Sequence, residues 1–198
     1  MEKLIWLPID IPKFPIDIDE FLQDKKIQNW ENLSWWKFKK LTDASKNSYE
    51  ISSFEDHIKK LYPSLIEWFN FFPYKTIRNI KLNVQQSRVG SHIDFANPNN
   101  NLDLFNNNKN NEPCGYRVLI KGKRSNTLYI EHNNCKIYTI LPEDTDVYVL
   151  RHTDGRHGVD KDTKRITLFT HFEIDSIKHQ LLLEKSLKKY KEYTILGD

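Results

Sequence analysis

Residues 116–174 read YRVLIKGKRSNTLYIEHNNCKIYTILPEDTDVYVLRHTDGRHGVDKDTKRITLFTHFEI. Short apolar runs recur through this stretch: YRVLIKG (116–122), TLYIE (127–131), KIYTIL (136–141), TDVYVLR (145–151) and RITLFTHFEI (165–174). Each is rich in β-branched and aromatic residues, which suit a pleated, half-buried surface. Turn residues separate them, at Lys123–Asn126, His132–Asn134, Pro142–Asp144 and Thr153–Lys164. Many short strands at this spacing predict an antiparallel sandwich or barrel. Upstream, IRNIKLNVQ (77–85) alternates apolar and polar residues and predicts one more strand.

Outside this β-rich region the periodicity is helical. Ile58, Leu61, Leu65, Trp68, Phe69 and Phe72 fall on one face of a helix expected over 54–72. Pro63 is either a kink or a helix start, and Pro73 ends the segment. Residues 175–193 return to helical spacing through Ile177, Leu181, Leu187 and Tyr190. Residues 1–50 mix Pro, Trp and charge, and predict short strands and a short helix over Ile16–Gln28 capped by Asp17 or Asp19. Trp30, Trp35 and Trp36 are expected to pack this region on the β core. The expected organisation is therefore one domain: a supporting region at 1–75, a β core at 76–174 and a C-terminal helix at 175–198. Residues 96–113, half of them Asn, read as a long loop, either a surface insertion or a lid facing a site.

Composition narrows the function classes. The chain has 198 residues, 38% hydrophobic and 13% aromatic, enough to fill a core. Net charge is only +3, and the basic excess sits in pairs such as Lys39-Lys40, Lys59-Lys60 and Lys188-Lys189. Such pairs read as solvated faces, so no nucleic-acid or membrane partner is expected. Cys114 and Cys135 form no CxxC or Cys/His zinc pattern. The N-terminal apolar run is broken by Pro8, Asp10 and Pro12, and no stretch approaches the ~20 apolar residues of a membrane span. A soluble, cytoplasmic protein is expected. The abundance of Asn, Lys and Ile fits an AT-rich coding sequence of viral or microbial type.

The chemistry-bearing residues begin at Ser91-His92-Ile93-Asp94-Phe95. His92 and Asp94, at i and i+2 of an extended segment, project to the same side and can reach one cation. An imidazole and a carboxylate suit Fe(II), and a second imidazole completes a facial triad with open positions. His132, His152, His157 and His171 are the candidates for it. His157, in Arg156-His157-Gly158-Val159, is the expected ligand, because Arg165 follows eight residues later at the head of a strand. A buried Arg there can take the far carboxylate of a dicarboxylate co-substrate through a bidentate pair. His152 lies farther from that Arg, His132 sits in a polar turn, and His171 reads as a pocket or core residue.

From SRVGSHID through RHGV to KRITLFTHFEID, residues ~80–174 resemble the 2-oxoglutarate/Fe(II)-dependent oxygenases. The texture of GYRVLIKG, TLYIE and HGV is most similar to the aspartyl/asparaginyl β-hydroxylases and small proline hydroxylases. The resemblance implies a double-stranded β-helix (a jelly roll, cupin-like) with flanking helices. It implies Fe(II) held by His92, Asp94 and His157, with 2-oxoglutarate and O2 as co-substrates and Arg165 on the 5-carboxylate. Thr167 would add a hydroxyl beside Arg165, Arg117 would bind the 1-carboxylate or a substrate carboxylate, and Tyr129 would line the pocket. Arg88 would reach substrate. The implied activity is hydroxylation of an Asp-, Asn- or Pro-type side chain, free, in a peptide or in a protein. Competing readings are a cupin-like metal-binding module without activity and a nucleobase-oxidising dioxygenase. A zinc hydrolase of the HExxH type has no motif here.

Overall fold

The computed structural model describes residues 3–24, 30–32, 36–41, 54–94, 115–150, 155–160 and 164–197. The Asn-rich segment 96–113, Trp35, Cys114 and His152 lie outside the described residues. The strands are β1 (Lys3–Pro8), β2 (Trp30–Asn32), β3 (Trp36–Lys40), β4 (Tyr74–Gln85), β5 (Val89–His92) and β6 (Tyr116–Lys121), then β7 (Ser125–His132), β8 (Cys135–Ile140), β9 (Val147–Leu150), β10 (His157–Val159), β11 (Arg165–Ile174) and β12 (Ile195–Gly197). The helices are α1 (Ile18–Gln23), α2 (Asp56–Leu61), α3 (Pro63–Phe69) and α4 (Ser176–Lys189).

These strands form two sheets in the order β12-β1-β9-β6-β11-β4-β3-β2 and β5-β10-β7-β8. The pairings are antiparallel throughout. From β4 to β11 the chain passes back and forth between the two sheets, and each sheet takes four of those strands. That winding is the double-stranded β-helix. The N- and C-terminal strands widen the larger sheet at both edges. The β7–β8 turn passes through Asn133 and Asn134 at φ 51° and 59°, a left-handed pair that matches the twist of a hairpin.

The larger sheet is buried on both faces. On β11, Ile166 and Leu168 point one way, into a core shared with Ile58, Leu65, Trp68, Phe69, Phe72 and Leu183 of the helical layer. A second core of Trp6, Val89, Leu119, Leu128, Ile130, Tyr148, Leu150 and Val159 lies between the sheets. Arg165 and Thr167 alternate with Ile166 and Leu168, so they face this inner space.

Three helical expectations change. The helix expected over 54–72 is two helices, because Tyr62 leaves helical geometry (φ −130°, ψ 58°) and Pro63 opens the second. Leu61, at the end of the first, is 51% exposed. The N-terminal helix is shorter than expected, and Asp17 caps it by accepting from the Asp19 and Glu20 amides at 2.8 and 3.2 Å. On α4 the buried face is His179, Leu183 and Ser186, while Ile177 and Leu181 are 75% and 61% exposed. His179 is held there by a 2.7 Å hydrogen bond to the Tyr116 hydroxyl, and Ser186 donates to Leu182 O at 2.7 Å. Polar side chains that each make a hydrogen bond therefore share the buried face, and it is not the face of Ile177 and Leu181 that periodicity marked. No helix is long and apolar enough to cross a membrane among the described residues.

Candidate active site

Strand pairing assembles the site. β10 lies between β5 and β7, and its register sets His157 directly across from His92. Their imidazole centroids are 4.5 Å apart. Asp94, two residues past His92, reaches both: its Oδ1 is 3.2 Å from His92 Nε2 and its Oδ2 is 3.8 Å from His157 Nε2. One ligand atom from each of these three residues lies within 4.8 Å of the others.

The two histidines are oriented in the same way. His92 Nδ1 donates to Gly90 O at 2.8 Å, and His157 Nδ1 donates to Gly155 O at 3.1 Å. A backbone carbonyl two residues earlier thus fixes each tautomer and turns Nε2 toward Asp94. Their environments differ. The hydrogen bond to Asp94 raises the His92 pKa above its usual value, whereas burial lowers that of His157. A buried imidazole kept neutral and a neighbouring carboxylate form a donor set suited to a divalent transition metal.

Arg117, on β6, faces the same space. Its guanidinium stacks on Phe169 at 4.1 Å, and its Nη2 is 3.8 Å from Asp94 Oδ2. Arg117 is 5% exposed, so it is a buried charge rather than a surface one.

Arg165 and Thr167 are 4% and 0% exposed on the inner face of β11. Arg165 Nη2 donates to the Tyr148 hydroxyl at 2.9 Å, and Nη1 donates to Gln85 Oε1 at 3.4 Å. Its Nε, and the Oγ1 of Thr167, have no hydrogen-bond partner among the described residues. A buried guanidinium steered by two neighbours, with its Nε–H left over, has the donors to pair with a carboxylate. A pocket beside it is walled by Trp6, Leu119, Leu128, Leu141 and Tyr148.

Tyr129 is a correction. It pairs with Gly158 across β7 and β10, so it shares the face of Gly158 and not that of His157. There its ring packs on Tyr138, with the Lys136 ammonium 4.1 Å away. It backs the sheet that carries His157 and does not line the inner pocket. Arg88 is exposed in the β4–β5 connection, His132 ends β7 and is not one of the three clustered ligand residues, and the His171 side chain lies outside the described residues.

Sequence reading passed over Asn83, Gln85 and Tyr148. In IKLNVQ the polar positions look solvent-facing, yet Asn83 and Gln85 are 0% exposed. The available signal was the neutrality of those two positions at the end of a strand otherwise carrying lysines.

No protein-family model matches the chain, and no curated protein matches it. Among solved structures, it is similar to the crystal structure of an oxidoreductase of the 2OG-Fe(II) oxygenase family from Burkholderia pseudomallei. The identity is 10% and the TM-score 0.40, with 80% of this chain and 79% of that one covered.

Proposed function

We propose that the protein is an Fe(II)- and 2-oxoglutarate-dependent oxygenase that hydroxylates an amino-acid side chain, free or within a peptide or protein. The observation that carries this reading is a conjunction. Three ligand atoms converge within 4.8 Å, and the same interior holds a buried Arg165 whose Nε edge is unengaged. A metal-binding module alone has no need of the second feature.

His92, Asp94 and His157 would hold the iron, leaving positions for the co-substrate and O2. Iron with bound 2-oxoglutarate supplies O2 activation coupled to oxidative decarboxylation, giving succinate and CO2. The protein's own share is placement and exclusion of water. Gly90 O and Gly155 O orient the two imidazoles. Arg165, with Thr167, receives the far carboxylate of the co-substrate. Arg117, stacked on Phe169, sets a positive charge beside Asp94 and serves a carboxylate of substrate or co-substrate. Trp6, Leu119 and Leu128 keep the inner wall apolar, which strengthens these charge interactions.

Anaerobic titration of the Fe(II)-loaded protein with 2-oxoglutarate tests the reading. A metal-to-ligand charge-transfer band should grow in the visible, and Arg165→Ala should abolish it while retaining iron. Iron binding without any such band would reduce the protein to a metal-binding module.

A further inference from the structure

We infer that Asn83 is a binding residue of the co-substrate anchor, a third donor to the far carboxylate beside Arg165 and Thr167. This rests on the function proposed above and extends it to a residue outside the expected set.

Asn83 pairs with Thr167, and Gln85 with Arg165, on adjacent positions of β4 and β11. Directly paired residues share a face, with Cβ atoms roughly 4.5–5.5 Å apart. Ile80 and Leu82 belong to the helix-side core, so Asn83 and Gln85 point inward with Arg165 and Thr167. Asn83 is 0% exposed, and neither its Nδ2 nor its Oδ1 has a hydrogen-bond partner among the described residues. Thr167 Oγ1 and Arg165 Nε share that condition. Four unmatched polar atoms thus fall within two neighbouring pairs of one sheet.

Gln85 provides the contrast. Its Nε2 donates to Ser87 O at 2.7 Å and its Oε1 accepts from Arg165, so it is a positioning residue for the guanidinium. Nothing comparable explains Asn83. An unmet buried amide bears its full desolvation cost, whereas an apolar side chain of similar shape costs nothing of the kind. The donors left over are an N–H of Arg165, a hydroxyl of Thr167 and the amide of Asn83. A carboxylate, which only accepts, complements that set.

The test is 2-oxoglutarate binding to the full chain loaded with Mn(II), which is redox-inert here, followed by calorimetry. A parallel titration uses 2-oxobutyrate, which keeps the chelating 2-oxo acid and lacks the far carboxylate. Asn83→Leu should weaken 2-oxoglutarate about tenfold or more and leave 2-oxobutyrate and Mn(II) affinity unchanged. Its ligand-free melting temperature should equal or exceed that of the wild type. Asn83→Asp should weaken 2-oxoglutarate further, through like charge. Asn83→Thr, which keeps a donor, should recover part of the affinity and stands in if the Leu variant does not fold. Wild-type affinity for 2-oxoglutarate in a folded Leu or Asp variant overturns the inference alone. So does an equal loss for both 2-oxo acids. Failure of the wild type to bind 2-oxoglutarate overturns the proposed function, and this inference with it.

Discussion

Gly158 lies directly beneath the phenol of Tyr129: a Cβ built on it would stand 2.3 Å from the Tyr129 hydroxyl oxygen and 2.9 Å from Val89 O. The absence of a side chain next to His157 lets β7 and β5 close on β10 from both sides. The glycine therefore acts through packing rather than through backbone freedom.

Gly158→Ala should displace β10 and with it His157. The expected result is a stability loss of about 1–3 kcal/mol from overpacking and weakened Mn(II) binding. Adding Tyr129→Ala should recover only part of both, because Val89 O still crowds the new methyl. Urea unfolding and metal titration on the single and double variants check this. Full recovery in the double variant would remove the Val89 contact from the account.

The three side chains proposed to hold the metal should differ from their supports in what they contribute. Loss of an outer partner of a metal ligand costs about 10–100-fold in affinity. His157→Ala or Asp94→Ala should cost more than that in Mn(II) affinity, measured by calorimetry, with little change in far-ultraviolet circular dichroism. An Asp94→Ala variant that binds Mn(II) as the wild type does would remove the carboxylate from the ligand set.

Lys39 supplies a pH signature away from the site. It is 5% exposed on β3, its ammonium 5.8 Å from the Phe21 ring centre. Burial pushes its pKa down to about 8 from the ordinary 10.5. Below about pH 8 both folded and unfolded chains carry the proton, and the folded state bears the full cost of the buried charge. Between about 8 and 10.5 the unfolded chain binds more protons, so stability should rise with pH across that window. The gain is roughly 3 kcal/mol across the 2.5 units between those values. Lys39→Met should be more stable than the wild type at pH 7, and the difference should shrink toward pH 10. A difference independent of pH would show that Lys39 is not neutral in the folded state at high pH.

On α4 the prediction contrasts two leucine-type positions. Leu183, 3% exposed, should cost about 2–5 kcal/mol when changed to Ala. Ile177→Gln, at 75% exposure, should fall within about 0.5 kcal/mol of the wild type. Chemical denaturation separates the two. Equal losses would mean that Ile177 is covered in solution.

Much of the fold was legible because strand signals are local. The alternation of IRNIKLNVQ and RITLFTHFEI and the turn at His132–Asn134 each follow from a few residues. The shortest strands were not legible. β5 and β10 have four and three residues, too few for a period, and pairing with neighbours is what makes them strands. They are also the strands that carry His92 and His157.

By itself the sequence determined which residue types were available for chemistry, and in what order: His92 with Asp94, then His157, then Arg165. It also determined the alternation that makes the strands. Only the tertiary structure decided which side of each strand looks inward. The larger sheet is covered by helices on the side of Leu82 and Leu168, so the polar side of β4 became the interior of the β-helix. That arrangement buried Asn83 and Gln85, the polar positions of the alternating IRNIKLNVQ, beside Arg165. Register decided the rest: Tyr129 fell opposite Gly158 and so on the far side from His157. The physical reason is the same in both cases. A strand has two faces with identical local periodicity, and the difference between them is set by what packs against each, which is encoded in distant residues.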